Sequence, residues 1–445
     1  MKFLINAASA KLGGAVTYIT NVLRALPGPE SGHEFEVYLP PETAQRLAGL
    51  VPNVRVVETN IGHASMARRL WWEQVTLRAR LRKIRADVLF STGGFAMFHC
   101  PVRQVLLACN ALYFSKFYRQ AMLPQHPWKL RLDFGLRSWL ARRSVRSSSV
   151  VVAPSRASRD ELLEMVRVDS GKIRVNPYGA AEEDFQAPGA EGGDSAHGGE
   201  RVGCHSGLAP SPVPLRPVKT PAAVHPLPRG ERVGCGEGAG ESVRLAYVSI
   251  YSDHKNLTTL LKALRLLNSN GGPRFRLKTT VNPAREGTQW TSNRQGDLEL
   301  ARDSKVAPWV EFVGPLGHEA AHRLYCGADI FVFPSVVESF GHPMMEAMAA
   351  GLPIVAADTP VNREVCGEGA EYFQPLSAED LTAKLRHVAL NRELRRRLGQ
   401  AGCRRARTAP RWREHVAAIL SEAKYPGSSL GLARDNCRDP SLHSG

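Results

Sequence analysis

A chain of 445 residues is too long for a single hydrophobic core and predicts two domains. Its hydrophobic fraction of 43% and charged fraction of 22% are ordinary for a globular protein. The net charge of +16 favours an anionic partner, such as a nucleotide diphosphate, an anionic lipid or a nucleic acid. The sequence contains no zinc-finger spacing, RNA-binding aromatic signature or basic leucine zipper, so we do not expect a nucleic-acid-binding protein.

The amino terminus and the cysteines bear on the compartment. The apolar run at residues 1–6 is too short for a signal peptide and predicts a buried strand. No apolar stretch approaches the length that spans a bilayer. The eight cysteines form no Cys-x-x-Cys pair, which predicts free thiols rather than disulfides or a zinc site. We therefore expect a cytoplasmic protein.

The first part of the chain alternates strand-like and helix-like runs. Strands are predicted at 2–7, 34–39, 87–91, 104–108 and 150–153, and helices at 14–26 and 65–84. Such alternation is typical of parallel βαβ units.

The composition changes between residues 186 and 242, where Gly, Pro, Ala, Ser and Arg dominate. The string Gly-Glu-Arg-Val-Gly-Cys occurs there twice, at 199–204 and 230–235. A segment with so few apolar residues cannot offset its chain entropy, which predicts a disordered insertion in an interdomain linker. A functional tether is the alternative interpretation.

Regular alternation resumes at residue 243. Strands are predicted at 244–249, 310–313, 330–334, 353–357 and 371–373, and helices at 256–267, 318–326, 343–350, 378–390 and 392–423. The predicted organisation is a first α/β domain at 1–185, the insertion at 186–242, a second α/β domain at 243–425 and a disordered tail at 426–445.

The most informative segment is residues 334–353. A predicted strand ends at Pro334, and the next loop carries Glu338 and Gly341 before a helix that begins near Pro343. Parallel sheets bind ligands at the carboxyl ends of their strands, where helix amides favour anionic or hydroxyl groups. Glu338 and Glu346 can then accept hydrogen bonds from sugar and ribose hydroxyls. Taken singly, each is equally an ordinary solvated carboxylate.

Glu338 and Glu346 are separated by seven residues and embedded in Phe-Gly-x-Pro and Glu-Ala-Met-Ala-x-Gly-x-Pro. This segment resembles the donor-site signature of family 4 of the glycosyltransferases, retaining enzymes of the GT-B fold. The resemblance implies an α/β protein with two Rossmann-like α/β/α domains facing each other across a cleft. It also implies a set of residues that bind a nucleotide-sugar donor, namely Ser339, Phe340, Gly341, His342 and Glu346, with Glu338 as a catalytic residue.

Other segments match the same family. Gly13 and Gly14 follow the first predicted strand, where family members let the backbone approach the donor diphosphate, although glycines there also serve helix packing. Lys255, predicted as a second catalytic residue, matches the lysine that contacts the diphosphate and is chemically suited to phosphate. Ser249-Ile250 stands where many members have Gly-Arg, so the arginine that accompanies this lysine is missing.

The acceptor side departs further from the family pattern. Cys109 and Asn110 occupy the place of a His-Asp pair that many members carry. Asn110 can hydrogen-bond a sugar hydroxyl, but neither residue is a good general base near neutral pH. In a retaining front-face mechanism the leaving phosphate itself can take the acceptor's proton. The chain has no Asp-x-Asp motif, and we expect neither a metal nor another cofactor.

Residues 116–146 interleave basic and aromatic side chains. This mixture is able to contact the inner face of an anionic membrane and to receive a lipid-linked acceptor there. The alternative interpretation is an ordinary helix that covers the first sheet and leaves its arginines solvated.

The predicted function is retaining transfer of a hexose-type sugar from a nucleotide diphosphate to an envelope polysaccharide or a lipid-linked glycan. A GT-B sugar-nucleotide epimerase is one alternative, although no matching set of acid–base carboxylates is found in the first domain. A protein that binds nucleotide sugar without transferring it is another, favoured by the Cys109-Asn110 replacement and the insertion.

Overall fold

A computed structural model describes most of the chain. The described residues are 1–11, 13–47, 54–180, 242–269, 271–285 and 290–424. The predicted tail at 426–445 and, apart from residue 242, the predicted insertion at 186–242 lie outside them.

The first half contains seven described strands. They are β1 (Lys2–Asn6), β2 (Glu34–Leu39), β3 (Val54–Glu58), β4 (Val88–Ser91), β5 (Arg103–Leu107), β6 (Val150–Ala153) and β7 (Ile173–Val175). All pairings between them are parallel, and the order is β3-β2-β1-β4-β5-β6-β7. The order reverses between β1 and β4, which makes the loops at their carboxyl ends a topological switch point.

The helices of the first half connect these strands. They are α1 (Gly14–Arg24), α2 (Pro41–Leu47), α3 (Met66–Gln74), α4 (Thr76–Ile84), α5 (Trp128–Ser147) and α6 (Arg156–Met165). The single helix predicted at 65–84 is wrong, because α3 and α4 are separated at Val75, which has φ −111° and ψ −67°. The N–H of Val75 still donates to Trp71 O (2.9 Å), and its C=O accepts from Ala79 N (3.0 Å). The Gln74 side chain is meanwhile bound to the backbone of Ala96 and Phe98, which anchors the end of α3.

The second half forms another parallel sheet. Its described strands are β8 (Val243–Tyr247), β9 (Phe275–Thr279), β10 (Val310–Phe312), β11 (Ile330–Phe333), β12 (Ile354–Ala357) and β13 (Ala370–Phe373). Their order is β10-β9-β8-β11-β12-β13, so the switch point lies between β8 and β11. Both β11 and β12 are buried along their whole length, as strands covered on both faces must be. The two sheets and their helices confirm the predicted α/β class.

Helices follow the strands of the second half as well. They are α7 (Leu257–Ser269), α8 (Arg294–Arg302), α9 (His318–Cys326), α10 (His342–Ala349), α11 (Pro360–Cys366), α12 (Ala378–Leu390), α13 (Arg392–Arg407) and α14 (Trp412–Lys424). We call β1–β7 with α1–α6 the first domain, and β8–β13 with α7–α13 the second domain.

The last helix returns to the first domain. One helix was predicted over 392–423, but α13 ends at Arg407 and the chain turns around Pro410, which has no N–H to continue a helix. The helix that follows, α14, packs against α1, β5 and β6. Arg103 donates two hydrogen bonds to Glu422 O (3.0 and 2.7 Å), and Arg174 pairs with the Glu422 carboxylate (2.9 Å).

Gly179 allows α14 to pack against the first domain. Ala180 N donates to Pro410 O (2.9 Å), which brings the segment after β7 against the start of α14. A Cβ added at Gly179 would lie 2.4 Å from Trp412 N, so only glycine fits.

A larger residue at position 179 would therefore push the segment after β7 away from the start of α14. We expect Gly179→Ala to lower the free energy of unfolding by about 1–3 kcal/mol, because a backbone contact cannot move aside as a flexible side chain would. Urea denaturation measures this. Gly135→Ala is the control, since nothing lies within 4 Å of a Cβ there and alanine favours a helix. Equal midpoints for Gly179→Ala and the unaltered protein would contradict the role of Gly179.

Candidate active site

Lys255 and Glu338 meet at the switch point of the second sheet. Lys255 lies in the loop between β8 and α7, and Glu338 in the loop between β11 and α10. Their Nζ and Oε1 atoms are 2.5 Å apart, and the side chains are only 14% and 11% exposed. The structure thus brings together two of the predicted catalytic residues in an ion pair largely shielded from water, where its electrostatic attraction is stronger than at the surface.

Backbone hydrogen bonds tie these two loops to each other. Asn256 adopts a left-handed conformation (φ 56°) and donates from Nδ2 to Pro334 O (3.1 Å). Val336 N donates to His254 O (3.0 Å), and Tyr247 OH donates to Lys255 O (2.7 Å). The position of Lys255 relative to Glu338 is therefore set by the backbone as well as by the charge pair.

Gly341 shapes the start of α10. It has φ 87° and ψ 64°, a left-handed conformation that suits glycine, and a Cβ there would lie 2.5 Å from Met344 Cε. The helix begins at His342, so Pro343 lies in its first turn, and Gly351 follows its end with φ 74°. The described structure agrees with the predicted sequence of strand, loop, helix start and glycine cap.

The loop before α10 is held by the first domain. Ser155, which caps α6, donates from Oγ to Ser339 O (2.9 Å), and Ser158 Oγ donates to the same oxygen (2.7 Å). In return, the Glu364 carboxylate of α11 accepts from the N–H groups of Arg156 and Ala157 (both 2.7 Å) at the start of α6. We call these contacts the serine latch. Sequence analysis missed it, because its partners lie 181 to 208 residues apart.

Phe340 and His342, both predicted to bind the donor, lie in an aromatic cluster between the domains. We call it the interdomain aromatic cluster, and its members are Tyr18, Tyr178, Phe340, His342, Trp412 and His415. Tyr178 stacks on His342 with ring centroids 4.6 Å apart and packs edge-on against Phe340 at 5.2 Å. Burial lowers the pKa of His342 to about 3, so the ring is neutral at ordinary pH.

The remaining predicted donor residues lie on two helices. Glu346 is on α10 and accepts a hydrogen bond from Tyr325 OH of α9 (2.6 Å). Gly13 and Gly14 are exposed at the start of α1, with Gly13 at φ 59°. A Cβ on Gly13 would lie 3.3 Å from Ile250 Cγ2, so the start of α1 faces the β8–α7 loop across the domain boundary. Ile250 is the residue that stands in place of the family arginine.

Asn110 and Cys109 follow β5 in the first domain. Asn110 is half-buried beside Gly94, whose Cβ would lie 3.8 Å from Asn110 Cβ, and it precedes a 3₁₀ turn at Ala111–Tyr113. Cys109 donates from Sγ to Thr92 O (3.3 Å), and burial raises the pKa of its thiol to about 11. Cys109 is therefore neither a base nor a thiolate nucleophile near neutral pH.

Solved structures with a similar architecture include a glycosyltransferase and a protein that binds UDP-glucose. A glycosyltransferase from Rickettsia africae superposes with a TM-score of 0.61 at 15% identity, covering 96% of this chain and 99% of that one. HepE from Anabaena in complex with UDP-glucose gives a TM-score of 0.63 at 15% identity, with 95% and 100% covered. At this identity the likeness concerns the fold, and it defines the protein as a two-domain α/β protein of GT-B architecture.

Family models match both halves of the chain. The model described as Glycosyltransferase Family 4 matches residues 12–183, and the model described as Glycosyl transferases group 1 matches residues 238–405. Since the two matches together cover most of the chain, this protein belongs to the family 4 glycosyltransferases.

Curated relatives match over shorter stretches. The D-inositol 3-phosphate glycosyltransferase of Geodermatophilus obscurus is 34% identical over 208 residues, which is 45% of this chain and 43% of that protein. The O-antigen chain mannosyltransferase B of Escherichia coli is 27% identical over 140 residues, covering 31% and 35%. The chain thus matches less than half the length of these relatives.

Proposed function

We propose that the protein is a retaining transferase that moves a hexose-type sugar from a nucleotide diphosphate to an envelope polysaccharide or a lipid-linked glycan. The observation that carries the proposal is the shielded Lys255–Glu338 pair at the switch point of the second sheet. The relatives named for transfer to inositol 3-phosphate and to O-antigen chains support a hydroxyl-bearing acceptor. The fold neighbour that holds UDP-glucose supports a nucleotide-sugar donor.

The ion pair suits a site that receives a diphosphate. In this proposal Lys255 turns from the Glu338 carboxylate towards the diphosphate, and Glu338 accepts hydrogen bonds from the donor sugar. The backbone amides near Gly341 and at Gly13–Gly14, at the amino-terminal ends of α10 and α1, also stabilise the negative charge of the diphosphate. Glu346 accepts hydrogen bonds from the ribose hydroxyls. No metal is required, because these groups stabilise the charge that develops on the leaving diphosphate.

The residues on the acceptor side determine which group takes the proton of the acceptor hydroxyl. With the pKa of Cys109 raised to about 11 and Asn110 lacking a basic group, neither acts as a general base. We propose that the bond from C1 to the phosphate oxygen breaks as the acceptor oxygen bonds C1 on the same face. The acceptor's proton then passes to the departing phosphate oxygen, while Asn110 hydrogen-bonds an acceptor hydroxyl.

A second candidate is a protein that binds a nucleotide sugar without transferring it. Ile250 favours it, because an apolar side chain packs beside Gly13 where many family members present an arginine. Donor binding without release of nucleotide in the presence of acceptors would support this candidate.

A donor screen tests the proposed function. We expect the purified protein to release nucleoside diphosphate slowly from one nucleotide sugar of a panel, because water can replace the acceptor. Glu338→Ala and Lys255→Met should each lower this rate at least about 100-fold, as expected when a group that stabilises transition-state charge is removed.

The control uses an exposed ion pair of the same domain. Glu311→Ala and Lys278→Met break the Lys278–Glu311 pair, whose side chains are more than half exposed, and should leave the rate unchanged. Absence of both nucleotide release and donor binding across the panel would refute the enzymatic proposal.

The acceptor side of the proposal includes a membrane contact through α5. Trp128, Leu132, Leu136 and Trp139 project from one face of this helix and are 64%, 64%, 54% and 50% exposed. We call these four residues the α5 stripe. Exposed basic residues flank them, namely Lys129, Arg131, Arg143 and Arg146. Among the described residues, no helix has both the length and the apolar character needed to cross a membrane.

This arrangement suits the surface of an anionic bilayer. The apolar side chains would enter the interface while the basic side chains contact lipid phosphates, which is how amphipathic helices bind membranes. A lipid-linked acceptor would then be presented to the first domain.

Vesicle sedimentation tests the membrane contact. We expect binding to phosphatidylglycerol-containing vesicles that weakens with salt, and about a tenfold loss for the double variant Leu132→Gln/Leu136→Gln, because two apolar anchors are removed. Leu376→Gln/Leu390→Gln is the matched control, since these leucines are also exposed but belong to the second domain. Equal binding by both double variants would contradict docking through α5.

A further inference from the structure

A cavity lies between the domains next to the loop that carries Glu338. Its volume is about 90 Å³, and it is open to bulk solvent on one side. Phe117 and Glu161 line it from the first domain, and three loops of the second domain complete it. These loops and the first turn of α11 contribute Val336, Val337, Glu338, Asp358, Thr359, Pro360, Val361 and Pro375. None of the predicted site residues except Glu338 is part of this lining.

The serine latch holds Glu161 at this cavity. Ser155 and Ser158 of α6 bind Ser339 O, and Glu161 lies on the same helix one turn after Ser158. Because α6 is fixed to the β11–α10 loop through these hydrogen bonds, the carboxylate of Glu161 is kept in the cavity that Glu338 also lines.

Glu161 differs from the other carboxylates around it. Glu164 pairs with Lys116 (2.7 Å), Glu338 with Lys255 (2.5 Å), and Asp358 with Arg363 (2.7 Å). Within the part of the chain that the structure describes, no hydrogen bond or ion pair engages the Glu161 carboxyl group. Burial, and secondarily the charge of Glu164, raises its pKa to about 7, so the group is able to donate as well as accept a hydrogen bond near neutral pH.

The lining indicates the chemical class of the ligand. The carboxylates of Glu338 and Asp358 disfavour an anion, and three carboxyl groups with the Thr359 hydroxyl disfavour a purely apolar ligand. Phe117 and the Val and Pro side chains form apolar walls, which suit the C–H face of a sugar ring. A neutral pyranose presents both surfaces, hydroxyls at its rim and C–H groups on its faces.

We propose that this cavity is an acceptor subsite that binds a neutral pyranose, with Glu161 hydrogen-bonded to a ring hydroxyl and Phe117 against the ring face. The inference rests on the proposed transferase function and adds the class of acceptor that the site takes. It also supplies an acceptor-binding residue in the first domain, in addition to Asn110.

Saturation-transfer NMR tests the subsite directly. The probes are methyl α-D-mannopyranoside, methyl α-D-glucopyranoside and methyl α-D-galactopyranoside, each added to the full chain with UDP or GDP present. We expect at least one glycoside to bind, with affinity about tenfold lower in Glu161→Leu, the loss expected for a hydrogen bond to a partly buried group. Glu161→Gln should retain part of the affinity, because an amide still hydrogen-bonds a hydroxyl.

Glu164→Gln is the matched control, since Glu164 is on the same helix but paired with Lys116, and it should leave glycoside binding unchanged. Absence of glycoside binding, or equal binding by Glu161→Leu and the unaltered protein, would overturn the proposal. Nucleotide binding and release from the donor are measured on the same samples. If the protein binds and releases nucleotide but Glu161→Leu does not change glycoside binding, only the acceptor subsite is refuted. If nucleotide binding and release are both absent, the proposed transferase function is refuted.

Discussion

The hydrogen bonds to the carbonyl oxygen of Ser339 are the constraint on which the site depends. Two hydroxyls of the first domain, from Ser155 and Ser158, converge on this oxygen of the second domain. Because both hydroxyl oxygens lie within hydrogen-bonding distance of this carbonyl, rotation of the Ser339 peptide group is restricted. The loop that carries Glu338 into α10 therefore depends on contact between the domains for its shape.

The interdomain aromatic cluster is a second contact between the domains, and it includes Phe340 and His342, which follow Ser339 in the chain. The Nε2 atom of His415 lies 3.0 Å from Tyr18 OH, and its Nδ1 atom lies 2.8 Å from Pro177 O. Because Pro177 O can only accept, Nδ1 carries the proton and Nε2 accepts from Tyr18. Burial lowers the pKa of His415 to about 4, as it lowers that of His342, so the cluster stays uncharged across the physiological range. Rings that pack this closely hold α10, α14 and the segment after β7 in one arrangement.

Local sequence signals were sufficient for the fold class, and the family resemblance selected Lys255 and Glu338, which the structure brings into contact. A strand, the loop after it and a helix that ends at a glycine can each be recognised from neighbouring residues. Lys255 follows β8 and Glu338 follows β11, the two strands that flank the switch point of the second sheet. The edge strand β3 and the short β7 were not predicted, because their burial is only partial. β9 alternates buried and exposed residues, Phe275 and Leu277 inward with Arg276 and Lys278 outward, a pattern that the sequence analysis did not use.

Long-range contacts could not be predicted from the sequence. Ser155 and Ser158 follow the strand predicted at 150–153, yet nothing local indicates that their hydroxyls bind a carbonyl in another domain. The packing of α14 on the first sheet likewise depends on Gly179 and Pro410, which are more than two hundred residues apart. His342 is an example: the motif predicts a donor contact for it, and nothing local indicates that its ring packs against both Tyr178 and Trp412.

Nucleotide affinity after removal of the latch hydroxyls tests this account most directly. In the double variant Ser155→Ala/Ser158→Ala, binding of UDP or GDP, whichever the unaltered protein binds more tightly, is measured by calorimetry. Ser155 also caps α6, so Ser65→Ala, which removes the cap of α3 away from the site, controls for the loss of a cap. The account predicts affinity about tenfold lower in the double variant, unchanged in Ser65→Ala, and partly restored by Ser155→Thr/Ser158→Thr, because threonine keeps the hydroxyls. Unchanged affinity in the double variant would contradict the claim that the first domain holds the donor loop in shape.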